Sequence, residues 1–148
     1  MTTQRPIRAK TIPVLVMRLV LGGIFVWASI YKILDPAAFA GVIHNYQLLP
    51  DGFINGFAVT LPWLELLLGC FLIFGAWLPG AVVLSNLLLL VFLGALVFNV
   101  ARGLDIHCGC FTSDTIGNPK TASYLLHNAA LITVAAYLLF KVVIRNNT

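Results

Sequence analysis

Four long apolar stretches dominate the sequence and restrict what it can fold into. They run from about residue 12 to 31, 57 to 78, 81 to 101 and 122 to 144. Each is long enough to cross the hydrocarbon core of a bilayer, which takes about 20 residues of α-helix. A helix satisfies its own backbone hydrogen bonds in lipid, where no water is present to do so. The sequence therefore predicts an all-α integral membrane protein, a four-helix bundle that forms a single transmembrane domain over residues 1–148.

The composition supports this fold class and excludes several others. Charged residues make up 9% of the chain and hydrophobic residues 60%, against roughly 25% and about 45–50% in soluble domains. A soluble globule of this size leaves too much of its chain exposed to hide so much apolar surface. A soluble enzyme, a disordered chain and a disulfide-stapled secreted domain are thus excluded. The basic residues are scattered rather than arranged in a stripe, so the lipid bilayer and not a nucleic acid is the expected partner.

The distribution of basic residues predicts the orientation. One side of the bundle carries most of them: Arg5, Arg8, Lys10, Arg18, Lys141 and Arg145. The positive-inside rule then places both termini in the cytoplasm, as in a multi-pass protein of the inner (cytoplasmic) membrane, with both long loops on the outer face. The Ala38-Phe39-Ala40 triplet resembles a signal-peptidase site, but the apolar stretch before it is too long for a signal peptide, so we do not expect cleavage.

The first outer loop carries the signature of a short amphipathic helix. Asp35 is a suitable N-cap, and Pro36 suits the first helical position. An apolar stripe with helical spacing follows: Phe39, Val42, Ile43 and Tyr46. We expect this helix to lie on the outer surface of the membrane and to stop at Pro50, with a simple packing role favoured over a functional one.

The second outer loop contains the strongest local signal, His107-Cys108-Gly109-Cys110. Cysteines at positions i and i+2 form a disulfide only where the chain bends sharply, which Gly109 permits. A bridge strained in this way is easily reduced and suits exchange better than stabilisation. His107 favours the neighbouring thiolate when it is protonated. Redox exchange is the preferred interpretation, and metal ligation or an inert turn are the alternatives.

Polar groups inside the spans form a second candidate cluster. Glu65, His127, Asn99 and Lys32 all fall in the outer half of the predicted bundle, where an isolated polar group needs a partner. We expect Glu65 and His127 to approach each other, with Lys32 or Asn99 nearby. The long side chain of Lys32 can extend its ammonium group to Glu65. They then either relay protons for thiol or quinone chemistry or simply fix the helix register. Cys70 lies in mid-span and is expected to be a core thiol.

Several of these elements together resemble a known family. They are Arg18-Leu-Val-Leu-Gly-Gly, Lys32 before Asp35-Pro36, Tyr46-Gln-Leu-Leu-Pro50, Leu61-Pro-Trp-Leu-Glu65-Leu and Asp105-x-x-Cys-Gly-Cys-Phe111. Over most of its length the chain resembles the MauE branch of the DoxX-like membrane proteins. The resemblance implies a four-helix membrane bundle with a role in methylamine utilisation, in maturing or exporting the disulfide-rich small subunit of methylamine dehydrogenase. It also implies periplasmic thioredoxin-like partners and, from sulfur-oxidising relatives, a link to quinone.

Two hypotheses of function follow. In the first, the protein is a thiol–disulfide relay between a periplasmic partner and the membrane, with quinone as the one cofactor considered and no metal ligands assigned. Its expected site residues are Cys108, Cys110, His107, Glu65 and His127. In the second, it is a non-enzymatic membrane scaffold or a small-solute or metal carrier that uses the Cys-Gly-Cys loop for docking.

Overall fold

The computed structural model describes residues 12–103 and 121–144, and this part of the chain is entirely helical outside its turns. The elements are α1 (Ile12–Leu34), α2 (Pro36–Tyr46), α3 (Asp51–Phe74), α4 (Leu78–Ala101) and α5 (Thr121–Leu139), which continues as a π-helical turn (Phe140–Ile144). Four helical segments are long and apolar enough to cross a membrane: Ile12–Leu34, Asp51–Phe74, Leu78–Ala101 and Leu125–Val143. The prediction of an all-α bundle with four candidate spans and a short helix after the first is confirmed.

The third helix begins earlier than the hydropathy pattern indicated. It starts at Asp51, directly after Pro50, rather than near residue 57. Its first two turns contain polar and small residues, which hydropathy does not count as part of a span. Asp51 stabilises this start because its negative charge lies in the first turn, near the positive end of the helix dipole.

The α3–α4 connection also falls earlier than expected. Gly75 has a φ of 73°, and its N–H donates to the carbonyl oxygen of Phe71 over 2.9 Å. This left-handed residue ends the helix, a position that glycine occupies without steric cost. Trp77 is also left-handed, with a φ of 42°, and Pro79 lies in the first turn of α4. The chain therefore reverses over three residues, and α3 and α4 run antiparallel.

The bundle has an up-down-up-down arrangement, with α1 packed along α3 and α4 along α5. The α1–α3 crossing is close because two glycines face each other. A Cβ atom added to Gly22 would lie 2.9 Å from the carbonyl oxygen of Gly69, and one added to Gly69 would lie 2.9 Å from that of Gly22. Small residues of this kind let helix backbones approach in membranes, where packing rather than the hydrophobic effect holds helices together.

The α2 helix is capped as the sequence predicted, but it ends earlier. The Asp35 carboxylate accepts a hydrogen bond from the Ala38 N–H over 3.0 Å. The helix ends at Tyr46 because Gln47 adopts a left-handed conformation, with a φ of 50°, so Pro50 is not what stops it. Its apolar stripe is buried against α3 and α4, which makes α2 a packing element of the bundle.

The position of α2 follows from the point along α3 at which α1 ends. The α1 and α4 helices end, and the α3 and α5 helices begin, at the same end of the bundle. We call this end the loop end. Lys32, near the end of α1, contacts Glu65 on α3, which lies 14 residues after Asp51, or about 21 Å along the helix. Since α1 stops beside the middle of α3, α2 fills the space that remains towards the loop end.

Candidate functional site

A buried ion pair joins α1 and α3 near the middle of the bundle. The Lys32 Nζ donates to both carboxylate oxygens of Glu65, each over 2.8 Å. Lys32 is 3% exposed and Glu65 4%. The prediction that Lys32 partners Glu65 is confirmed. Because hydrogen bonds between ionised groups are about twice as strong as neutral ones, this geometry compensates part of the cost of burying two charges.

Two aromatic rings enclose the ammonium group from the other helices. Lys32 Nζ lies 4.9 Å from the ring centroid of Phe39 on α2 and 5.2 Å from that of Phe92 on α4. Aromatic faces attract a cation, and the attraction grows when water is excluded. The sharp turn at Asp35-Pro36 brings Phe39 back over the end of α1. Four helices thus contribute to this site, and neither ring carried a signal in the sequence that assigned it this role.

The Lys32–Glu65 pair is enclosed, and it does not present an accessible group as a catalytic site would. Both oxygens of Glu65 are engaged by one ammonium group, and hydrocarbon rings cover that ammonium. Such a pair fixes the relative positions of α1, α2, α3 and α4.

Asn99 is fully buried on α4, closer to the loop end than the ion pair. Its side-chain N–H donates to the Ala95 carbonyl oxygen over 2.9 Å, and within the described residues its Oδ1 has no hydrogen-bond partner. It lies seven residues beyond Phe92, or about 10 Å along α4. The hydrogen bonds of the Glu65 carboxylate come from Lys32, the first of the two neighbours that the sequence proposed.

His127 occupies an exposed position on α5. Its Nδ1 lies 2.9 Å from the carbonyl oxygen of Ser123, one turn earlier on the same helix. The imidazole is exposed while Glu65 is buried, so the two do not share the enclosed site around Lys32. Their joint participation in proton transfer remains a prediction.

The cysteine residues divide into two groups. Cys70 is a free thiol of intermediate burial on α3, directly after Gly69. It lies four residues before the end of α3 and is partly buried, whereas the sequence predicted a core thiol in mid-span. His107, Cys108 and Cys110 lie outside the described residues, in the segment that links α4 to α5 in the sequence.

An apolar cavity of about 360 Å³ lies between α2, α3 and α4. Phe39 and Phe92, the two rings over Lys32, belong to its wall, and so does Tyr46 near the end of α2. The remaining lining side chains are aliphatic or phenyl groups. The apolar stripe of α2 was visible in the sequence, but the cavity was not, because its opposite wall comes from residues more than forty positions away.

Comparison with known proteins gives a consistent answer. The sequence profile of the family described as "Methylamine utilisation protein MauE" matches residues 10–141. A methylamine utilization protein MauE of Paracoccus denitrificans is 34% identical over 120 residues, which cover 80% of this chain and 64% of that protein. One of Methylorubrum extorquens is 35% identical over 111 residues, covering 73% and 58%. One of Paracoccus versutus is 36% identical over 122 residues, covering 80% and 64%.

The alignments leave part of each relative unmatched. The chain covers 58–64% of the length of the curated relatives it matches. No solved structure matches the chain.

Proposed function

The chain belongs to the MauE family of membrane proteins, and on this basis we propose that it supports the maturation of a disulfide-rich periplasmic partner by thiol–disulfide exchange. The partner is of the type of the methylamine dehydrogenase small subunit, which places the chain in methylamine utilisation. One observation carries the redox part of the proposal. Cys108 and Cys110 lie between the end of α4 and the start of α5, and those two helix ends share the loop end of the bundle, the face proposed to be periplasmic.

The proposed exchange begins with a Cys108–Cys110 disulfide. A thiolate of the partner attacks one of its sulfur atoms, which forms a mixed disulfide and releases the other cysteine. A second partner thiol then resolves the mixed disulfide. The partner has gained a disulfide, and the chain has gained two electrons and two protons as a dithiol. The disulfide of a periplasmic thioredoxin-like protein restores the bridge by the same exchange and takes up the two electrons and two protons.

Three residues are proposed to handle the protons of this exchange. His107 is adjacent in sequence to the first cysteine, and imidazole titrates near neutral pH. His127 has an exposed imidazole on α5, within the helix that follows the cysteine segment. Glu65 comes last in the proposed order, because it is buried and Lys32 engages both oxygens of its carboxylate. The quinone link implied by the family resemblance would supply an alternative electron acceptor in the membrane.

The alternative is a scaffold or carrier without redox chemistry. The Lys32–Glu65 pair favours this alternative, because a buried pair whose hydrogen bonds are made can hold helices together without taking part in a reaction. In that case the Cys-Gly-Cys segment is a docking site or binds a metal ion. The two proposals differ in whether the thiols themselves are required.

A double variant, Cys108→Ser with Cys110→Ser, separates these proposals. It is expressed in a host that lacks its own copy of the protein, and free thiols on the partner are counted by the mass shift from a maleimide reagent. We expect the partner to keep reactive thiols while the amount of variant in the membrane is unchanged, since a bridge across a single residue adds little stability. Cys70→Ala is the matched control and should leave maturation unchanged. Full maturation with the double variant would establish the scaffold instead.

A further inference from the structure

The cavity between α2, α3 and α4 opens towards the side of the bundle. Phe57 on α3 and Val91 on α4 line it and are nevertheless exposed, as is Leu48 in the α2–α3 connection. On a helix that spans a membrane, an exposed apolar side chain faces lipid. The mouth of the cavity is therefore between α3 and α4 and leads into the bilayer.

The interior of the cavity offers a ligand almost nothing but hydrocarbon. Apart from the Tyr46 hydroxyl, the lining side chains are those of Phe, Val, Ile, Leu and Ala. An apolar cavity of about 150 Å³ holds a benzene molecule and excludes water. A space of about 360 Å³ is thus large enough for a substantial part of a hydrocarbon chain.

The depth of the cavity matches one leaflet. Its deepest lining residue on α4 is Leu88, one turn farther from the loop end than Phe92, whose ring also contacts the Lys32 ammonium. Its upper end is at Tyr46, next to Gln47 at the end of α2. Gln47 accepts a hydrogen bond from Arg102, which directly follows α4. Fourteen residues separate Leu88 from Arg102, or about 21 Å of helix, and half of a bilayer of about 40–45 Å including its headgroup regions is about 20–22 Å.

A cationic group lies at the rim of the cavity that is nearest the loop end. The Arg102 guanidinium is exposed, donates one hydrogen bond to the Gln47 side chain over 3.3 Å, and lies 5.5 Å above the ring of Phe98. A guanidinium carries five N–H donors in a planar fork that matches the geometry of a phosphate group. The contacts with Gln47 and Phe98 hold this fork near the cavity. An amphipathic ligand with an anionic head and an apolar tail is complementary to both parts.

We propose that the cavity binds one acyl chain of a membrane phospholipid, whose phosphate group pairs with Arg102. The lipid comes from the leaflet at the loop end, and its chain enters between α3 and α4 and lies against Phe39 and Phe92. The bound chain covers the rings that enclose the Lys32–Glu65 pair and so keeps water from it. This site depends neither on the orientation of the protein nor on the proposed redox function.

Lipid binding to the purified, delipidated protein tests this proposal. The probe is dioleoylphosphatidylglycerol, titrated in detergent and followed by native mass spectrometry. We expect one lipid per chain to bind more tightly than any further ones. Ala95→Phe places a ring in the cavity and should weaken this binding by about tenfold or more, the factor that corresponds to ~1.4 kcal/mol.

Gly94→Phe is the matched control for the cavity. It adds the same side chain to the neighbouring position on α4, which is exposed and lies outside the cavity lining. It should leave binding of the first lipid unchanged. Equal binding by wild type, Ala95→Phe and Gly94→Phe would overturn the proposal.

A second pair of ligands tests the role of Arg102. Dioleoylglycerol has the same chains but no phosphate, and we expect it to bind roughly two- to fivefold more weakly, as for an exposed charge pair. Arg102→Gln should remove this difference between the two lipids, and Arg102→Lys should retain most of it. A difference that survives Arg102→Gln would show that the phosphate binds elsewhere.

Labelling of the wild-type protein provides a test that needs no variant. Dioleoylphosphatidylglycerol with a diazirine on its acyl chain, used at low lipid-to-protein ratio, should label Val42, Ile43 and Leu88 in the cavity before the lipid-facing Leu87 and Leu90. Uniform labelling of these five positions would contradict the proposal. So would displacement of the first bound lipid by an equimolar isoprenoid quinone whose own binding is unaffected by Arg102→Gln, since the cavity would then belong to the quinone.

Discussion

Lys32 and Glu65 form an ion pair at the point where α1 ends beside the middle of α3, and the Nζ of Lys32 lies 2.8 Å from each carboxylate oxygen of Glu65. The two side chains come from helices that are also in contact at Gly22, ten residues before Lys32, and Gly69, four residues after Glu65. The glycine contact brings the backbones together, and the ion pair then sets the rotation and register of the two helices. With Phe39 and Phe92 around the ammonium, the same pair also positions α2 and α4.

Removing one partner of this pair should be costly. We expect Lys32→Met or Glu65→Leu alone to lower the free energy of unfolding by about 3–5 kcal/mol, because the remaining charge is left buried without a partner. The double variant should recover most of this loss, since two apolar side chains need no partner. The measurement is unfolding in mixed micelles followed by circular dichroism. Additive losses in the double variant would show that the two residues act independently.

The close approach of α1 and α3 gives a second prediction. Gly22→Ala should lower the free energy of unfolding by about 1–3 kcal/mol. The added Cβ would lie too close to the Gly69 carbonyl oxygen, so the backbones of α1 and α3 must separate. Gly23→Ala is the matched control: a Cβ there meets nothing within 4 Å. It should be neutral or raise stability by about 0.5–1 kcal/mol, the difference in helix preference between the two residues. Equal effects of the two substitutions on the thermal unfolding midpoint in detergent would argue against a tight crossing.

A third prediction concerns the other end of the same helix pair. The buried Arg18 donates from its Nε to the carbonyl oxygen of Leu72 over 3.1 Å and contacts Gly75 in the α3–α4 turn. It thereby satisfies a carbonyl group of the last turn of α3 that the helix itself leaves unpaired. Arg18→Met should lower the free energy of unfolding by about 1.5–3 kcal/mol. Arg18→Lys should restore little of it, because an ammonium group lacks the directed Nε–H of the guanidinium.

Arg102→Lys is the control for Arg18, since Arg102 is exposed at the opposite end of the bundle. It should change the unfolding midpoint very little. Recovery of full stability in Arg18→Lys would show that charge alone matters at that position.

The orientation in the membrane is the fourth prediction. Alkaline phosphatase fused after Asp114 should be active, and fused after Thr148 it should be inactive, because the first site is expected outside the cytoplasm and the second inside. Green fluorescent protein at the same two positions should give the opposite pattern. Activity of the phosphatase at both positions would contradict a span between Asp114 and Thr148, and activity only at Thr148 would reverse the orientation.

The sequence predicted the helices well because their cause is local. A span is recognised from the length and polarity of one continuous segment, and the N-cap at Asp35 from two adjacent residues. The boundaries were less accurate where polar residues continue a helix, as in the first turns of α3 after Asp51, and where a single left-handed residue such as Gln47 ends one. These choices depend on neighbours in space.

The partnership of Lys32 with Glu65 was also within reach of the sequence, because a charged group in a span must have a partner and few were available. The sequence alone determined that this chain is a four-helix membrane protein, that Lys32 and Glu65 need partners, and which family it resembles. Tertiary structure decided the rest: the place of α2 inside the bundle, the two rings over the Lys32 ammonium, the exposure of His127 and the cavity beside Phe92. The physical reason is that helical periodicity tells which side of a helix is apolar, whereas the depth and rotation at which two helices pack depend on contacts between residues far apart in the chain.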